Sequence, residues 1–201
     1  MKLYFAPNTR AVRIAWLLEE LGLDYDLERM TLGDKAMRAP DYLAVNPMGR
    51  VPTLVDGEVT ISESGAIVEY LLARHGKGRL VPAVETQDFA AYLQWLHFAE
   101  GMIMPQINVI MVETVFLPPE RRNEVNVKRA MKLLNQMLGA VDAHMAGREF
   151  LAGDFSGADI MCGHAVIVSE RLGADLSDKV NLPPYIARLS GRPALQKARA
   201  L

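Results

Sequence analysis

The chain has 201 residues, of which 50% are hydrophobic and 23% charged, and its 22 basic and 24 acidic side chains leave a formal net charge of -2. This composition excludes a disordered chain, which combines low hydrophobicity with high net charge. The near balance of charge argues against a nucleic-acid partner, and no run of like charge suggests a membrane-binding tail. At this length, one or two domains are expected.

A single cysteine, Cys162, limits the chemistry that the chain can perform. One thiol forms neither an internal disulfide, nor a CxxC redox pair, nor a cysteine-based zinc site. We therefore expect a cytoplasmic protein without a metal. The N-terminus lacks a signal-peptide pattern, and the most apolar stretch, 102–116, is too short and too polar to span a bilayer. No contact with a membrane is expected.

The first third of the chain alternates between short strands and helices. Periodicity and turn signals predict strands at 2–5 and 23–29, a hairpin at 51–61, and helices at 12–21, 34–43 and 64–73. Within the hairpin, Asp56-Gly57 suits a type I′ turn. This βαβαββα order predicts a small mixed sheet covered by helices.

Beyond a linker, the chain is predicted to be helical. The stretch 74–84 contains two glycines and a proline and has no periodic pattern. We place a first domain at 1–75, the linker at 76–84 and an all-helical domain at 85–201. The helical domain is predicted to begin with a long helix at 86–115, which Pro105 kinks. A second long helix ending near 147, a third at 155–171 and a pair of short helices after 183 are predicted to follow.

The most specific local pattern is Asn46-Pro47-x-Gly49-Arg50-Val51-Pro52, followed by the hairpin and by Glu63-Ser64. A proline at a strand start cannot donate to the ladder, and it leaves neighbouring backbone groups available. With a cis bond to Pro52, Val51 would offer its N–H and C=O to an extended peptide. Ser64 opens a helix whose N-terminus attracts a carboxylate, and Glu63 can pair with an ammonium group. A small zwitterionic peptide would satisfy all these features.

Each of these features alone also has a purely structural explanation. Pro52 is then a proline at the start of a strand, and Ser64 is the N-cap of a helix. Their order and spacing together favour the peptide site.

In combination, these segments resemble the glutathione S-transferases, in particular the bacterial theta- and nu-like kind. The resemblance spans nearly the whole chain and is carried by LYFAPNTRAVRIAWLLEELGLDYDL (3–27), NPMGRVPTLVDG (46–57), SESGAIVEYL (62–71), WLHFAEG (95–101), FSGADI (155–160) and SGRPALQKA (190–198). It implies an α/β thioredoxin-like N-terminal domain followed by an all-helical C-terminal domain. It also implies glutathione as cosubstrate and a homodimer.

The resemblance further implies where glutathione binds. Val51 and Pro52 would hold the backbone of its cysteinyl residue. Glu63 and Ser64 would hold its γ-glutamyl end. Arg50 or a nearby side chain would reach its glycine carboxylate.

The catalytic position lies in the loop after the first strand, at Asn8-Thr9-Arg10. By the resemblance, Thr9 takes the place of the serine that activates the thiol in some family members. Asn8 is the competing donor, and Arg10 is a third candidate through its fixed positive charge. A donated hydrogen bond and the helix dipole favour the thiolate of a group whose reference pKa is about 8.5. The alternative for Thr9 is an ordinary N-cap.

In the helical half, Phe98, Met102 and Pro105 fall where the family places its electrophile pocket. Methionine and aromatic side chains form adaptable apolar walls, although plain core packing also explains such a stripe. In related proteins an acidic side chain at the position of Glu100 can contact glutathione across the dimer interface. The alternative is that Glu100 is a solvated or ion-paired residue on the surface.

Ser156-Gly-Ala-Asp159 is predicted to be a structural capping box, with Phe155 and Ile160 as its hydrophobic staple. Cys162, one turn into the same apolar helix, is expected to be buried.

The residues and the resemblance together predict an enzyme that ionises glutathione. The thiolate would be added to an electrophile or used to reduce a peroxide or a disulfide. The alternative is a non-catalytic protein that keeps the fold in order to bind glutathione or another protein. The lone cysteine argues against an oxidoreductase that works through its own thiols.

Overall fold

Residues 1–201 are all described in a computed structural model of the chain, and they form two units. The first unit comprises Met1–Leu80 together with Ser190–Leu201, and the second comprises Val81–Leu189. The last residues thus pack with the N-terminal ones, an association that sequence periodicity does not reveal. The domain bounds 1–75, 76–84 and 85–201 stay a prediction about domain organisation.

A four-stranded mixed sheet forms the centre of the first unit. Its strands stand in the order β2-β1-β3-β4 and span Lys2–Phe5 (β1), Asp26–Arg29 (β2), Thr53–Asp56 (β3) and Val59–Ser62 (β4). β2 runs parallel to β1, whereas β3 is antiparallel to both β1 and β4. The sheet and its helices confirm the predicted fold class, a thioredoxin-like α/β domain followed by an all-helical region.

The hairpin turn differs by one residue from the prediction. Asp56 pairs with Val59 in the ladder, so the turn residues are Gly57 and Glu58. Gly57 has a φ of 61°, whereas Glu58 has no positive φ. A positive φ at the first turn position alone is typical of a type II′ turn, because a type I′ turn requires it at both positions. Asp56 stays in the strand because its carboxylate accepts hydrogen bonds from Tyr70 and His75.

Helices cover the sheet of the first unit. They span Ala11–Leu21 (α1), Pro40–Val45 (α2), Ser64–His75 (α3) and, from the C-terminus, Pro193–Ala200 (α9). α1 ends at Gly22, whose φ of 66° is the left-handed cap expected of a glycine stop. The single helix predicted at 34–43 is instead a 3₁₀ turn at Lys35–Arg38 followed by α2. Pro40 separates them because a proline fits only the first turn of a helix.

Helices account for the regular elements of the second unit. Its helices span Gln87–Phe98 (α4), Met104–Met111 (α5), Glu124–Met145 (α6), His164–Arg171 (α7) and Leu182–Ser190 (α8). The long helix predicted at 86–115 is interrupted by π-helical turns at Ala99–Ile103 and Val112–Phe116. Because Pro105 lacks an N–H donor, the helical ladder cannot pass through it unchanged, and the wider turn precedes it. No helix of the chain has the length and apolarity that crossing a bilayer requires.

The predicted capping box is present in part. The Ser156 N–H donates to Asp159 Oδ2 over 2.9 Å, whereas the Ser156 hydroxyl contacts the same carboxylate instead of the Asp159 N–H. Asp159 is fully buried, and so is Cys162, as predicted.

Candidate functional site

The corner that precedes β3 presents free backbone groups. The Val51–Pro52 peptide bond is cis, and Val51 lies just beyond the β1–β3 ladder, whose last pair is Tyr4 and Thr53. Neither the N–H nor the C=O of Val51 has a backbone partner within the chain. Backbone groups of this kind can pair with an added extended peptide. Pro52 itself is buried, and Arg50 is exposed.

Three side chains converge on the carbonyl of Arg50 and hold this corner in place. Tyr42 donates its hydroxyl to that oxygen over 2.5 Å, Asn46 donates its amide over 2.8 Å and Thr53 donates its hydroxyl over 3.3 Å. Burial raises the pKa of Tyr42, which keeps its hydroxyl neutral and able to donate. The family motif pointed to Asn46, but sequence reasoning missed Tyr42 and Thr53 because their common target appears only in three dimensions.

Gly49 is required by close packing at the same corner. Its φ is 57°, and a Cβ at this position would lie 2.4 Å from the carbonyl oxygen of Met37. Any other residue would therefore displace the backbone that leads into Val51.

Glu63 and Ser64 lie where β4 turns into α3. Glu63 adopts a φ of 72° and a ψ of 117°, a conformation that non-glycine residues rarely accept and that concentrates at functional sites. Its side chain is exposed and does not cap α3, whereas Ser64 is buried at the first helical position. The free N–H groups of the helix start and its dipole make this end of α3 attractive to an anion.

A buried cation lies behind Ser64. Arg13, on α1, is fully buried and donates from Nη1 to Ser64 Oγ over 3.2 Å. Since Ser64 accepts this bond, its own hydroxyl proton remains available for an acceptor on the other side. Sequence reasoning missed Arg13, although an arginine between Val12 and Ile14 on the apolar face of a helix was a usable signal.

The loop after β1 places the three catalytic candidates at the start of α1. Thr9 donates its hydroxyl to the carbonyl of Ala6 over 2.7 Å and accepts from the Ala11 N–H over 3.2 Å. Thr9 thus bonds to the first N–H of α1 from the position before the N-cap, so it is not the N-cap considered as the alternative. Asn8 is exposed and has a φ of 58°, while Arg10 occupies the N-cap position without capping the helix through its side chain.

The remaining predicted site residues lie in the second unit. Glu100 is half-buried in the first π-helical turn, and Met102 in the same turn is 43% exposed. Phe98 packs its ring edge-on against Trp95, and Pro105 is exposed in α5. The contacts of these four residues with glutathione or an electrophile stay predictions.

The second unit also contains an open cleft that sequence reasoning did not anticipate. It encloses about 550 Å³ between α5 and α6, and its lining does not include Phe98, Met102 or Pro105. Glu113 at its edge accepts from the Asn126 amide and the Asn123 N–H, which lower its pKa and keep it ionised. No group of three or more His, Cys, Asp or Glu side chains in the chain is placed to hold a metal ion.

Known proteins match this architecture along nearly all of its length. The profile described as glutathione S-transferase, N-terminal domain, matches residues 1–73. Glutathione S-transferase 4 of Zea mays is 34% identical over 187 residues, which cover 90% of this chain and 82% of that protein. The disulfide-bond oxidoreductase YfcG of Escherichia coli is 32% identical, and the alignment covers 98% of this chain and 93% of that protein.

A solved structure shares the fold. The glutathione transferase of Pseudomonas putida, crystallised with one glutathione disulfide per subunit, superposes with a TM-score of 0.89 at 25% identity and covers 100% of this chain and 90% of that one. Together with the two relatives at 34% and 32% identity, this match places the chain in the glutathione S-transferase family.

Proposed function

We propose that the chain is a glutathione transferase whose glutathione site lies in its first unit. The proposal is carried by two features of that unit that together suit a small zwitterionic peptide. Val51 offers unpaired backbone groups for a peptide, and the start of α3 at Ser64 offers a positive end backed by the buried Arg13. Glutathione, a short peptide with two carboxylates and one ammonium, matches both features.

Each part of glutathione has a proposed partner. Val51 pairs with the cysteinyl backbone as a short added strand, and Pro52 fixes the corner. The Ser64 hydroxyl and the α3 N-terminus receive the γ-glutamyl carboxylate, and Glu63 pairs with the ammonium group. The exposed guanidinium of Arg50 reaches the glycine carboxylate.

Glu100 stays the proposed contact from the second copy of a homodimer. Phe98, Met102 and Pro105 stay the proposed contacts of the electrophile. We also retain the theta- or nu-like subtype, since hydroxyl and amide side chains rather than a cysteine stand in the catalytic loop. A cytoplasmic location is proposed because the lone thiol is buried and forms no disulfide.

The catalytic step is the ionisation of the glutathione thiol and its attack on an electrophilic carbon. The sulfur forms a bond to that carbon, the leaving group departs with its electron pair, and the thiol proton passes to solvent. We assign Asn8 as the main hydrogen-bond donor to the thiolate and Arg10 as an additional source of positive charge. Thr9 is less suited, because its hydroxyl proton is already directed at Ala6. Its bond to the Ala11 N–H keeps the start of α1 in place.

Titration calorimetry of wild type and two site variants tests this binding mode. Ser64→Ala removes a hydrogen bond to a carboxylate, which is worth about 1.5–3 kcal/mol, and we expect glutathione to bind about 10- to 100-fold more weakly. Glu63→Gln removes only an exposed charge and should weaken binding less than about fivefold. Equal affinities for wild type and Ser64→Ala would contradict the site, and thermal melts of each variant control for folding.

Reduction of disulfides by glutathione is a second candidate activity, because the relative from Escherichia coli at 32% identity is a disulfide-bond oxidoreductase. Two glutathione molecules would supply two electrons, and a substrate disulfide would become two thiols while glutathione disulfide forms. Cys162 is buried and takes no part. Parallel assays with an aryl halide, a peroxide and a small disulfide separate the activities. Glutathione binding without turnover in all three assays would instead support the non-catalytic alternative.

A further inference from the structure

Helix α9, from the C-terminus of the chain, is attached to α1 by two ion pairs. Arg192 donates from Nε to Glu20 Oε1 over 2.6 Å and from Nη2 to Glu20 Oε2 over 2.9 Å. Lys197 donates to Glu19 over 2.7 Å. Leu195 of α9 is fully buried in the same unit, so the helix is packed there as well as paired.

The Arg192–Glu20 pair is the better placed of the two. Both nitrogens of one edge of the guanidinium meet both carboxylate oxygens, and only 12% of the Glu20 side chain is exposed. Glu20 Oε1 also accepts from the indole N–H of Trp16, a fully buried residue of α1, over 2.8 Å. In contrast, the Lys197 side chain is 66% exposed, and an exposed pair contributes little.

The C-terminal end of α1 depends on partners from distant parts of the chain. Its last turn contains no basic residue of its own. Arg79 donates to the carbonyls of Glu20 and Leu21, which are among the acceptors that the end of a helix leaves without intrahelical partners. Arg192 adds a second cation at the same end, where a positive charge suits the helix dipole.

We infer that Arg192 is a positioning residue for the catalytic loop, acting through Glu20, Trp16 and the body of α1. The inference rests on the proposed function. The 11 residues of α1 span about 16 Å, and residues 14–18 are fully buried, so the helix shifts as one body in a close-packed surrounding. Its other end carries Asn8, Thr9 and Arg10. A small displacement of catalytic groups lowers rates steeply.

Hydrogen exchange and kinetics of Arg192→Gln test the inference. The amides of Ala11, Val12 and Arg13 bond to Thr9 and Arg10, so their exchange reports on the start of α1. We expect these amides to exchange at least tenfold faster, while amides within α3 change less than twofold. We also expect kcat to fall about tenfold with the KM for glutathione within twofold, and the pH profile of kcat to move to higher pH as the thiol becomes harder to ionise.

Two further variants complete the experiment. Lys197→Gln likewise removes one cation that pairs with α1, and it should leave the exchange of these amides and kcat within twofold of wild type. Arg192→Lys keeps the charge without the two-pronged geometry, so it should restore part of the kcat lost in Arg192→Gln. Should Arg192→Gln fail to fold, an Arg192→Lys protein with about threefold faster exchange at the start of α1 supports the inference, and one indistinguishable from wild type overturns it.

The outcomes separate the inference from the proposed function. Unchanged exchange at Ala11–Arg13, or an equal increase throughout the first unit, overturns the positioning role even if the enzyme is active. If Arg192→Gln speeds exchange only at Ala11–Arg13, but calorimetry of the wild-type protein detects no binding of glutathione, the positioning of α1 is supported and the proposed function is wrong.

Discussion

Asn8→Asp is expected to lower kcat/KM for glutathione conjugation about a hundredfold, the loss that follows removal of one donor to a developing or stabilised anion. Aspartate has nearly the shape of asparagine and also tolerates the left-handed φ of 58° at this position. It replaces the amide donor by a carboxylate, whose charge repels the thiolate and raises the pKa of the glutathione thiol. Stopped-flow measurement of the rate against pH determines this shift directly.

Matched variants distinguish the donor from the residue that bonds to the start of α1. Asn8→Gly keeps the positive φ without strain and removes the amide, so it should also be slow. Thr9→Val keeps the shape of the side chain and removes its hydroxyl. We expect Thr9→Val to lower the free energy of unfolding by about 1 kcal/mol, because the Ala11 N–H loses its acceptor. The rate of conjugation should fall less than tenfold.

The contrast between the two positions decides the assignment. If Thr9→Val is the slower enzyme and Asn8→Gly is close to wild type, the threonine hydroxyl leaves the Ala6 carbonyl when glutathione binds, and Asn8 is not the donor. If all the variants retain full rate, the thiolate is stabilised by groups outside this loop.

The residues of the proposed glutathione site could be singled out from the sequence because their signals are local. Val51 and Pro52 sit in a short motif, and Glu63-Ser64 marks a strand-to-helix junction. The buried side chain that bonds to Ser64 could not be predicted from these local signals. Arg13 lies 51 positions from Ser64, and only the packing of α1 beside α3 brings the two together.

The same division explains the differences in the fold. The order of elements follows from periodicity, which is a local property. The hairpin turn lies one residue later than predicted, because Tyr70 and His75 of α3 form hydrogen bonds with Asp56. The ion pair between Arg192 and Glu20 joins residues 172 positions apart, so no local pattern in the sequence predicts that α9 contacts α1.

The second large effect concerns stability rather than chemistry. Asp159→Ala should lower the free energy of unfolding by about 3–5 kcal/mol at pH 5, because several buried donors lose their acceptor and each costs about 1–3 kcal/mol. Oδ1 accepts from the Leu151 N–H over 3.0 Å and from the Tyr185 hydroxyl over 2.8 Å. Oδ2 accepts from the N–H and hydroxyl of Ser156. Urea denaturation of both proteins measures the difference.

The pH dependence of this effect has a defined sign. Burial raises the pKa of Asp159 from 3.8 to about 6, against the opposing effect of its hydrogen bonds. Between these two pKa values, the Asp159 carboxyl is protonated in the folded chain and ionised in the unfolded chain. The contribution of this proton to the free energy of unfolding is therefore complete below pH 3.8 and is lost as the pH rises through about 6. The loss is on the order of 3 kcal/mol. The gap between wild type and Asp159→Ala should therefore be wider at pH 5 than at pH 8.

Tyr185→Phe provides the control for this pH dependence. It leaves the carboxyl in place and removes one hydrogen bond, which should cost about 0.5–1.5 kcal/mol. Because that hydrogen bond favours the ionised carboxylate, its loss raises the pKa of Asp159 further and moves the decline in stability to higher pH. A gap between wild type and Asp159→Ala that stays constant from pH 5 to pH 8 would show that Asp159 is ionised throughout. In that case its four donors outweigh its burial, and Tyr185→Phe would leave the pH profile unchanged.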